Sequence, residues 1–227
     1  MRRKSPIFVC GVLLFAVVQP AMASEVIDRI VATVNGHIIL QSDLDDNIAV
    51  SYLMSKRIRA SVDFGPVDRK VALDRLIDQE LLRQQIPAND PQFEIEESAI
   101  NAPIEDVRQA YGIKTDQDWR NLLASYPLTE DEIRNIVVME IKILRLIDEH
   151  LRPTVQVDEK SIQDYYNHLL VPLLRQKGAK EPSLAEATPQ IREVLTQKQI
   201  DVALKEWLQN LHDSSVIVLK TDGSSVK

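Results

Sequence analysis

The chain has 227 residues, 44% of them apolar, with 34 acidic against 27 basic side chains and a formal charge of −7 at neutral pH. So acidic a chain repels phosphate backbones and anionic lipid surfaces, which argues against nucleic-acid binding. A chain of this length and apolar content can fill one core without disulfide staples.

Arg2, Arg3 and Lys4 precede an apolar run from Ile7 to Val18, and Ala21-Met22-Ala23 follows in an A-x-A pattern. This reads as a secretory signal over residues 1–23 with cleavage after Ala23, too short in its apolar part to span a bilayer. The apolar residues that a twin-arginine signal places directly after its arginine pair are displaced here, so the general secretory route is expected. Cys10 lies early in the run behind a poor lipobox, Ile7-Phe8-Val9, and leaves with the signal. The mature chain then has no cysteine, hence no disulfide framework and no thiolate chemistry in an oxidising compartment. Without Arg2, Arg3 and Lys4, 24 of the 27 basic side chains face the same 34 acids, a formal charge of −10. No later apolar run approaches the roughly 20 residues of a membrane helix, so no stable membrane insertion is expected.

Residues 26–44 encode a hairpin that runs into a helix. Asn35-Gly36 tolerates the positive φ angles of a type I′ turn and pairs Val34 with His37, Thr33 with Ile38, Ala32 with Ile39 and Val31 with Leu40. Both faces of such a ribbon are largely apolar, so helices must cover it and a third strand can extend it. Ser42 is the predicted N-cap of the following helix, with Asp45 completing a capping box. That helix, to about Arg59, carries Leu44, Ile48, Tyr52 and Leu53 at helical spacing and ends before Phe64-Gly65-Pro66.

Asp68 is the predicted cap of a second helix with Leu73, Leu76, Ile77 and Leu81 on one face. Residues 94–111 read as a helix interrupted at Pro103 and stopped by Gly112. Thr115 opens a short helix with Trp119, Leu122 and Leu123. Thr129-Glu130-Asp131-Glu132 is a capping box for a longer helix with Ile133, Val137, Ile141 and Leu144 inward, ending before Pro153. Asp158 caps a short helix with Ile162, Tyr165, Tyr166 and Leu169. Residues 171–182 read as a linker, after which Ser183 with Glu186, or Thr188 with Pro189, starts a last helix that buries Leu204, Trp207, Leu208 and Leu211. Val216–Leu219 is a short strand, the natural third partner of the opening hairpin, and 221–227 a frayed tail.

Motifs for chemistry are scarce. The glycines of the mature chain are isolated, so no loop cradles a phosphate, and neither a G-x-S-x-G elbow nor an H-E-x-x-H pair occurs. His37, His150, His168 and His212 have no metal-ligating partner at helical spacing, and three of them sit near helix C-termini, where imidazolium suits the dipole. Asp43, Asp45 and Asn47 imitate an EF-hand start, but Ile48 and Met54 stand where glycine and glutamate are needed. Glu94-Glu96-Glu97 and Glu130-Asp131-Glu132 are better read as solvated helix starts than as acid–base pairs. Tyr165-Tyr166 and Trp207, at helical spacing, read as core rather than as a peptide groove. No metal and no cofactor is expected.

The order of Ile30-Val31-Ala32, Val34-Asn35-Gly36, Ile38, Leu40 and Ser42-Asp43-Leu44 resembles the SurA family of periplasmic chaperones and parvulin-type foldases. The likeness continues through Leu76-Ile77-Asp78-Gln79-Glu80-Leu81-Leu82, Leu128 to Arg134, Val157 to Ile162, Ile191-Arg192, Leu195 and Glu206-Trp207-Leu208. The resemblance implies a mainly α fold: a SurA N-terminal-like helical domain over 24–220, with a small antiparallel sheet of the N-terminal hairpin and the C-terminal strand. Within it lie hairpin and helices (24–170), the linker (171–182) and a returning helix and strand (183–220).

Family members usually carry parvulin domains between the N-terminal helices and the final helix. The gap from about Tyr166 to Ser183 is far below the roughly 50 residues of a folded domain, so isomerase activity does not carry over and the chain is read as a non-enzyme. The resemblance implies an ATP-independent periplasmic chaperone that holds unfolded outer-membrane or secreted polypeptides in an apolar groove. Tyr52, Leu53, Met54 and Phe64, methionine and aromatics beside a loop break, are the candidate client-binding residues, with core packing the competing role for each. A prolyl isomerase with a degenerate site and a module dedicated to one assembly partner are the alternatives. The oligomeric state stays open, a homodimer included.

Overall fold

The computed structural model describes residues 28–55, 66–88 and 90–220. The signal with its cleavage point after Ala23, Cys10, Phe64 and the tail over 221–227 lie outside the described residues.

The fold is mainly α with one small antiparallel sheet. Strands β1 (Ile30–Val34) and β2 (His37–Leu40) form the hairpin, and Asn35 and Gly36 take φ of 51° and 87°, as its turn requires. Val34, Thr33 and Ala32 pair with His37, Ile38 and Ile39 as the sequence predicts. The fourth pair is Ile30 with Leu40 rather than Val31 with Leu40, because the register shifts between Ile30 and Ala32. That irregularity lets Val31 and Ala32, neighbours on opposite faces of a regular strand, both be buried.

Strand β3 (Ile217–Leu219) pairs with β1, giving the order β2–β1–β3 and bringing the two ends of the chain together. Asn35 fastens this junction. Its backbone N–H donates to the Val216 carbonyl at 2.8 Å, and its side-chain carbonyl accepts the Val216 N–H at 2.8 Å. Its amide nitrogen donates to Ser215 Oγ at 3.1 Å and to Gln84 Oε1 at 2.8 Å.

Helix α1 (Gln41–Met54) follows β2 without a loop. Ser42 and Asp45 do not form the predicted capping box. Leu40 occupies the cap position and its N–H donates to the Asp43 carboxylate at 2.8 Å. Ser42 is drawn instead to Asp28, donating its N–H at 3.2 Å and also its hydroxyl, which holds Asp28 below the usual carboxylate range.

Helix α2 (Pro66–Arg83) starts at its proline rather than behind Asp68, since a first-turn residue has no intrahelical N–H bond to lose. Asp68, within that first turn, accepts the Tyr52 hydroxyl at 2.8 Å. Helix α3 (Glu97–Ala110) runs through Pro103 and ends in a Schellman motif. There Gly112 has φ of 69°, with Ile113 N–H on the Arg108 carbonyl at 2.8 Å and Gly112 N–H on Gln109 at 3.0 Å. Thr115 caps α4 (Asp116–Ala124), and Thr129 with Glu132 forms the capping box of α5 (Glu130–Leu151). On α5 the expected inward face holds for Ile133 and Val137, but Leu144 is 60% exposed. Ile143 and Leu146 are buried in its place, because the second half of α5 turns towards Leu82 and Phe93.

Helix α6 (Glu159–Tyr165) is capped by Asp158 as predicted and passes into a π turn over Tyr166–Leu170. Residues 171–176, expected as linker, form helix α7 (Val171–Gln176). The wider turn absorbs a change of register, and Pro172, near the new helix start, has no N–H to be missed there. Gly178, at φ of 64°, ends it, so the connection shortens to 177–183. Ser183 and Glu186 then form the capping box of α8 (Leu184–Asp213).

Helices α1 to α5 share the main core, centred on Leu53, Trp119, Leu123 and Ile133. The inner face of the sheet packs through Ala32, Val34 and Ile39 on Ile77 and Leu81 of α2. The far end of α8 packs on α5 through Leu204, Trp207, Leu208 and Leu211, with Trp207 stacked on His150 at 4.2 Å. His212 of α8 is 2.6 Å from Asp78 of α2. The near end of α8 pairs instead with α6 through Ala187, Ile191 and Ile162. Helices were expected over both sheet faces; among the described residues no helix closes over the face formed by Ile38, Thr33 and Val218, and Ile38 is 55% exposed.

Asn35→Gly keeps the turn conformation but deletes the side-chain bonds to Ser215, Val216 and Gln84. Global stability should fall by about 1–3 kcal/mol, with faster amide exchange across β3. An unchanged denaturation midpoint and unchanged exchange at 217–219 would show that the junction contributes nothing.

Candidate functional site

A cleft of about 330 Å³ opens where β2, α1, α2 and α5 meet. Each helix contributes one stripe at helical spacing: Asp43, Asp46 and Asn47 from α1; Leu76, Gln79, Glu80 and Arg83 from α2; Glu132, Asn135, Ile136 and Met139 from α5. Ile38 and Ile39 of β2 form the remaining wall. Apolar side chains thus alternate with carboxylates and amides, the mixed lining of a binding cleft rather than of a core. Larger hollows of about 510 and 570 Å³ elsewhere have lesser apolar linings, among charged side chains such as Glu105, Arg108 and Arg134, or Arg69 and Lys70.

The charges in the cleft are unevenly matched. Burial pushes the Glu80 carboxyl up, but hydrogen bonds from Arg83 (2.6 and 2.7 Å) and Gln84 (2.7 Å) outweigh it and leave Glu80 below its ordinary value. Glu132 accepts the Thr129 N–H at 2.6 Å as part of its capping box. Asp46 has no such relief. Burial first, then repulsion from Glu132, Asp43, Asp45 and Asp28, pushes its pKa up to about 6.

Of the four residues expected to bind clients, Phe64 lies outside the described residues and the other three lie elsewhere. Tyr52, Leu53 and Met54 form the last turn of α1, about 9–12 Å along the helix from Asp46. Leu53 is 0% exposed at the centre of the core, and its carbonyl accepts the Tyr111 hydroxyl at 2.9 Å. Tyr52 is half-buried, and Met54, 39% exposed, is the one of the three with much of its side chain open to solvent. Tyr165, Tyr166 and Trp207 pack in apolar clusters, and the Tyr166 hydroxyl donates to the Pro182 carbonyl at 2.7 Å. Sequence reasoning missed the cleft because its lining comes from four elements and its acids read as ordinary helix-start charges. The available signal was a second stripe, Glu132-Asn135-Ile136-Met139, beside the core stripe of α5.

Among the described residues, no group of three or more side chains converges to hold a metal, and no helix is long and apolar enough to cross a membrane.

No model of a known protein family matches the chain. Three curated relatives do. Chaperone SurA of Chromohalobacter salexigens is 27% identical over 169 residues, 73% of this chain and 38% of that protein. Chaperone SurA of Pseudomonas putida is 30% identical over 144 residues, 63% of this chain and 33% of the relative. The chain is similar to SurA chaperones. Chaperone SurA of Methylococcus capsulatus gives 25% over 152 residues, 67% of this chain and 33% of the relative. The chain thus spans about a third of the length of the SurA relatives it matches.

Because the Asp46 pKa is raised in the fold, its contribution to stability is full below pH 4 and is lost as pH rises through about 6. Asp46→Asn should therefore stabilise the protein at pH 7 by about 1 kcal/mol, the shift being discounted for partial solvent screening. Denaturant titrations at pH 4, 5, 6 and 7 check this, and a variant less stable than wild type at pH 7 would contradict it.

Proposed function

We propose that the chain is an exported, ATP-independent chaperone that holds unfolded outer-membrane or secreted polypeptides in the periplasm. The similarity to three SurA chaperones is the observation that carries this reading. The cleft is consistent with it, offering apolar walls at Ile38, Leu76, Ile136 and Met139 beside amides able to pair with a client backbone. Holding of this kind is weak and reversible, since apolar contact is non-directional and ordering an extended client costs conformational entropy. The surplus of surface acid keeps the loaded chaperone dispersed. The non-enzyme reading draws on the stretch between α6 and α8, where a π turn, α7 and a short loop fill the position at which foldases insert their isomerase domains.

Light scattering of an outer-membrane protein diluted from urea tests the proposal. Near-equimolar chaperone should suppress aggregation without ATP, and Ile38→Asp, at a position 55% exposed, should need several-fold more protein for the same effect at an unchanged thermal midpoint. Wild-type protein that fails to protect several unrelated clients would count against general holding and for a module dedicated to one partner. Turnover of a proline tetrapeptide above the uncatalysed rate would overturn the non-enzyme reading.

A further inference from the structure

The cleft between β2, α1, α2 and α5 contains two groups whose chemistry is unanswered within the protein. The Asp46 carboxylate receives no hydrogen bond or ion pair among the described residues. Its neighbour Asn47 is only 7% exposed, lines the same cleft, and its side-chain amide likewise has no partner among the described residues. The Asn47 amide is not sealed away without partners but reaches the cleft itself, where it is open to pair with a group that enters. Among the described residues the one basic side chain lining the cleft, Arg83, is already committed to Glu80. The cleft is therefore short of positive charge and of hydrogen-bond partners, next to an apolar wall.

We propose that the client segment held here is an extended stretch carrying a lysine or arginine among apolar side chains, with its cation between Asp46 and Glu132 and a backbone peptide group paired with Asn47. This rests on the reading of the chain as a binder of unfolded polypeptide and names the class of segment that its cleft selects. The carboxylates supply the charge complementarity, since Asp46 and Glu132 repel one another in the empty cleft and an incoming cation relieves both. An asparagine amide presents N–H donors and a carbonyl acceptor in one plane, able to pair with the N–H and C=O of an extended backbone. Ile38, Leu76, Ile136 and Met139 take the flanking apolar groups.

Selection should weaken in mild acid. Asp46, at about 6, takes up a proton between pH 7 and pH 5. The charged groups facing it are Glu132 of α5, Asp43 and Asp45 of α1 and Asp28 ahead of β1. Glu80 and Arg83 of α2 line the same cleft as a paired unit, with His37 of β2 at 3.8 Å from Glu80.

Fluorescence anisotropy with three labelled peptides tests the proposal, each an otherwise identical apolar nonamer with Lys, Gln or Glu at its centre. The Lys peptide should bind about three- to fivefold more tightly than the Gln peptide, the range of a half-exposed ion pair, and the Glu peptide more weakly than either. Asp46→Asn, expected to fold at least as well as wild type, should bring the Lys-to-Gln ratio below twofold. Glu132→Gln, which can still close the capping box, should do the same. Asn47→Leu should weaken all three peptides together, and the wild-type ratio should shrink at pH 5 and in 300 mM salt.

Equal affinity of wild type for the Lys and Gln peptides would overturn the charge selection while leaving general client binding standing. A ratio that persists in both acid variants would place the cation elsewhere and overturn the site. Failure of all three peptides together with failure to suppress aggregation would instead remove the chaperone reading. Sedimentation of the free protein covers the remaining occupant: a dimer that Asp46→Asn dissociates would put a second copy in the cleft and overturn the proposal.

Discussion

The bonds of Asn35 to Val216, Ser215 and Gln84 join three parts of the chain that are far apart in sequence. A two-residue turn could be closed by any pair that tolerates positive φ. This one also presents an amide that holds the strand closing the chain and reaches the end of α2. Strand β1 becomes the middle of a sheet rather than one half of an isolated hairpin, and isolated hairpins are at best marginally stable in water. Ala32 and Val34 can then be fully enclosed against α2.

The cleft depends on that junction. Strand β2 is an edge strand, hydrogen-bonded in the sheet to β1 and packed on α2 through Ile39, and it supplies Ile38 and Ile39 to the cleft wall. Helix α1 leaves β2 with no intervening residue, so the direction of the strand fixes where Asp43, Asp46 and Asn47 face. The Thr129–Glu132 capping box sets the start of α5 and with it the second carboxylate of the pair. Fold stability and site geometry are thus coupled at the sheet. The raised pKa of Asp46 is the local cost of gathering several acids at the cleft.

What was legible in the sequence was local. Asn-Gly gives the turn and the three nearest pairs of its register. Thr115, Thr129, Asp158 and Ser183 mark helix starts because each bonds a backbone N–H only three residues away. The misses involve partners distant in the chain. Ser42 was read as a cap, but Asp28, fourteen residues earlier, takes its hydrogen bonds. Leu144 fits the apolar period of α5, yet the second half of that helix buries the adjacent stripe against Leu82 and Phe93. The stretch from Val171 to Gln176 reads as linker, with Pro172 inside it and Gly178 just beyond, and the preceding π turn lets the helix resume. Asp46 carries no motif and Asn47 only a failed EF-hand start; the fold joins them in one cleft with Glu132, more than eighty residues onward.

Mapping where an unfolded client touches the protein tests the coupling of sheet, cleft and function most directly. A photoreactive side chain placed singly at Ile38, Gln79 and Asn135, with Met54 and Val202 of α8 as exposed comparisons, would be irradiated with an unfolded outer-membrane protein. The cleft as described predicts strong adducts at the first three positions and weak ones at the other two. Adducts confined to Met54 or Val202, with none at the cleft, would contradict it.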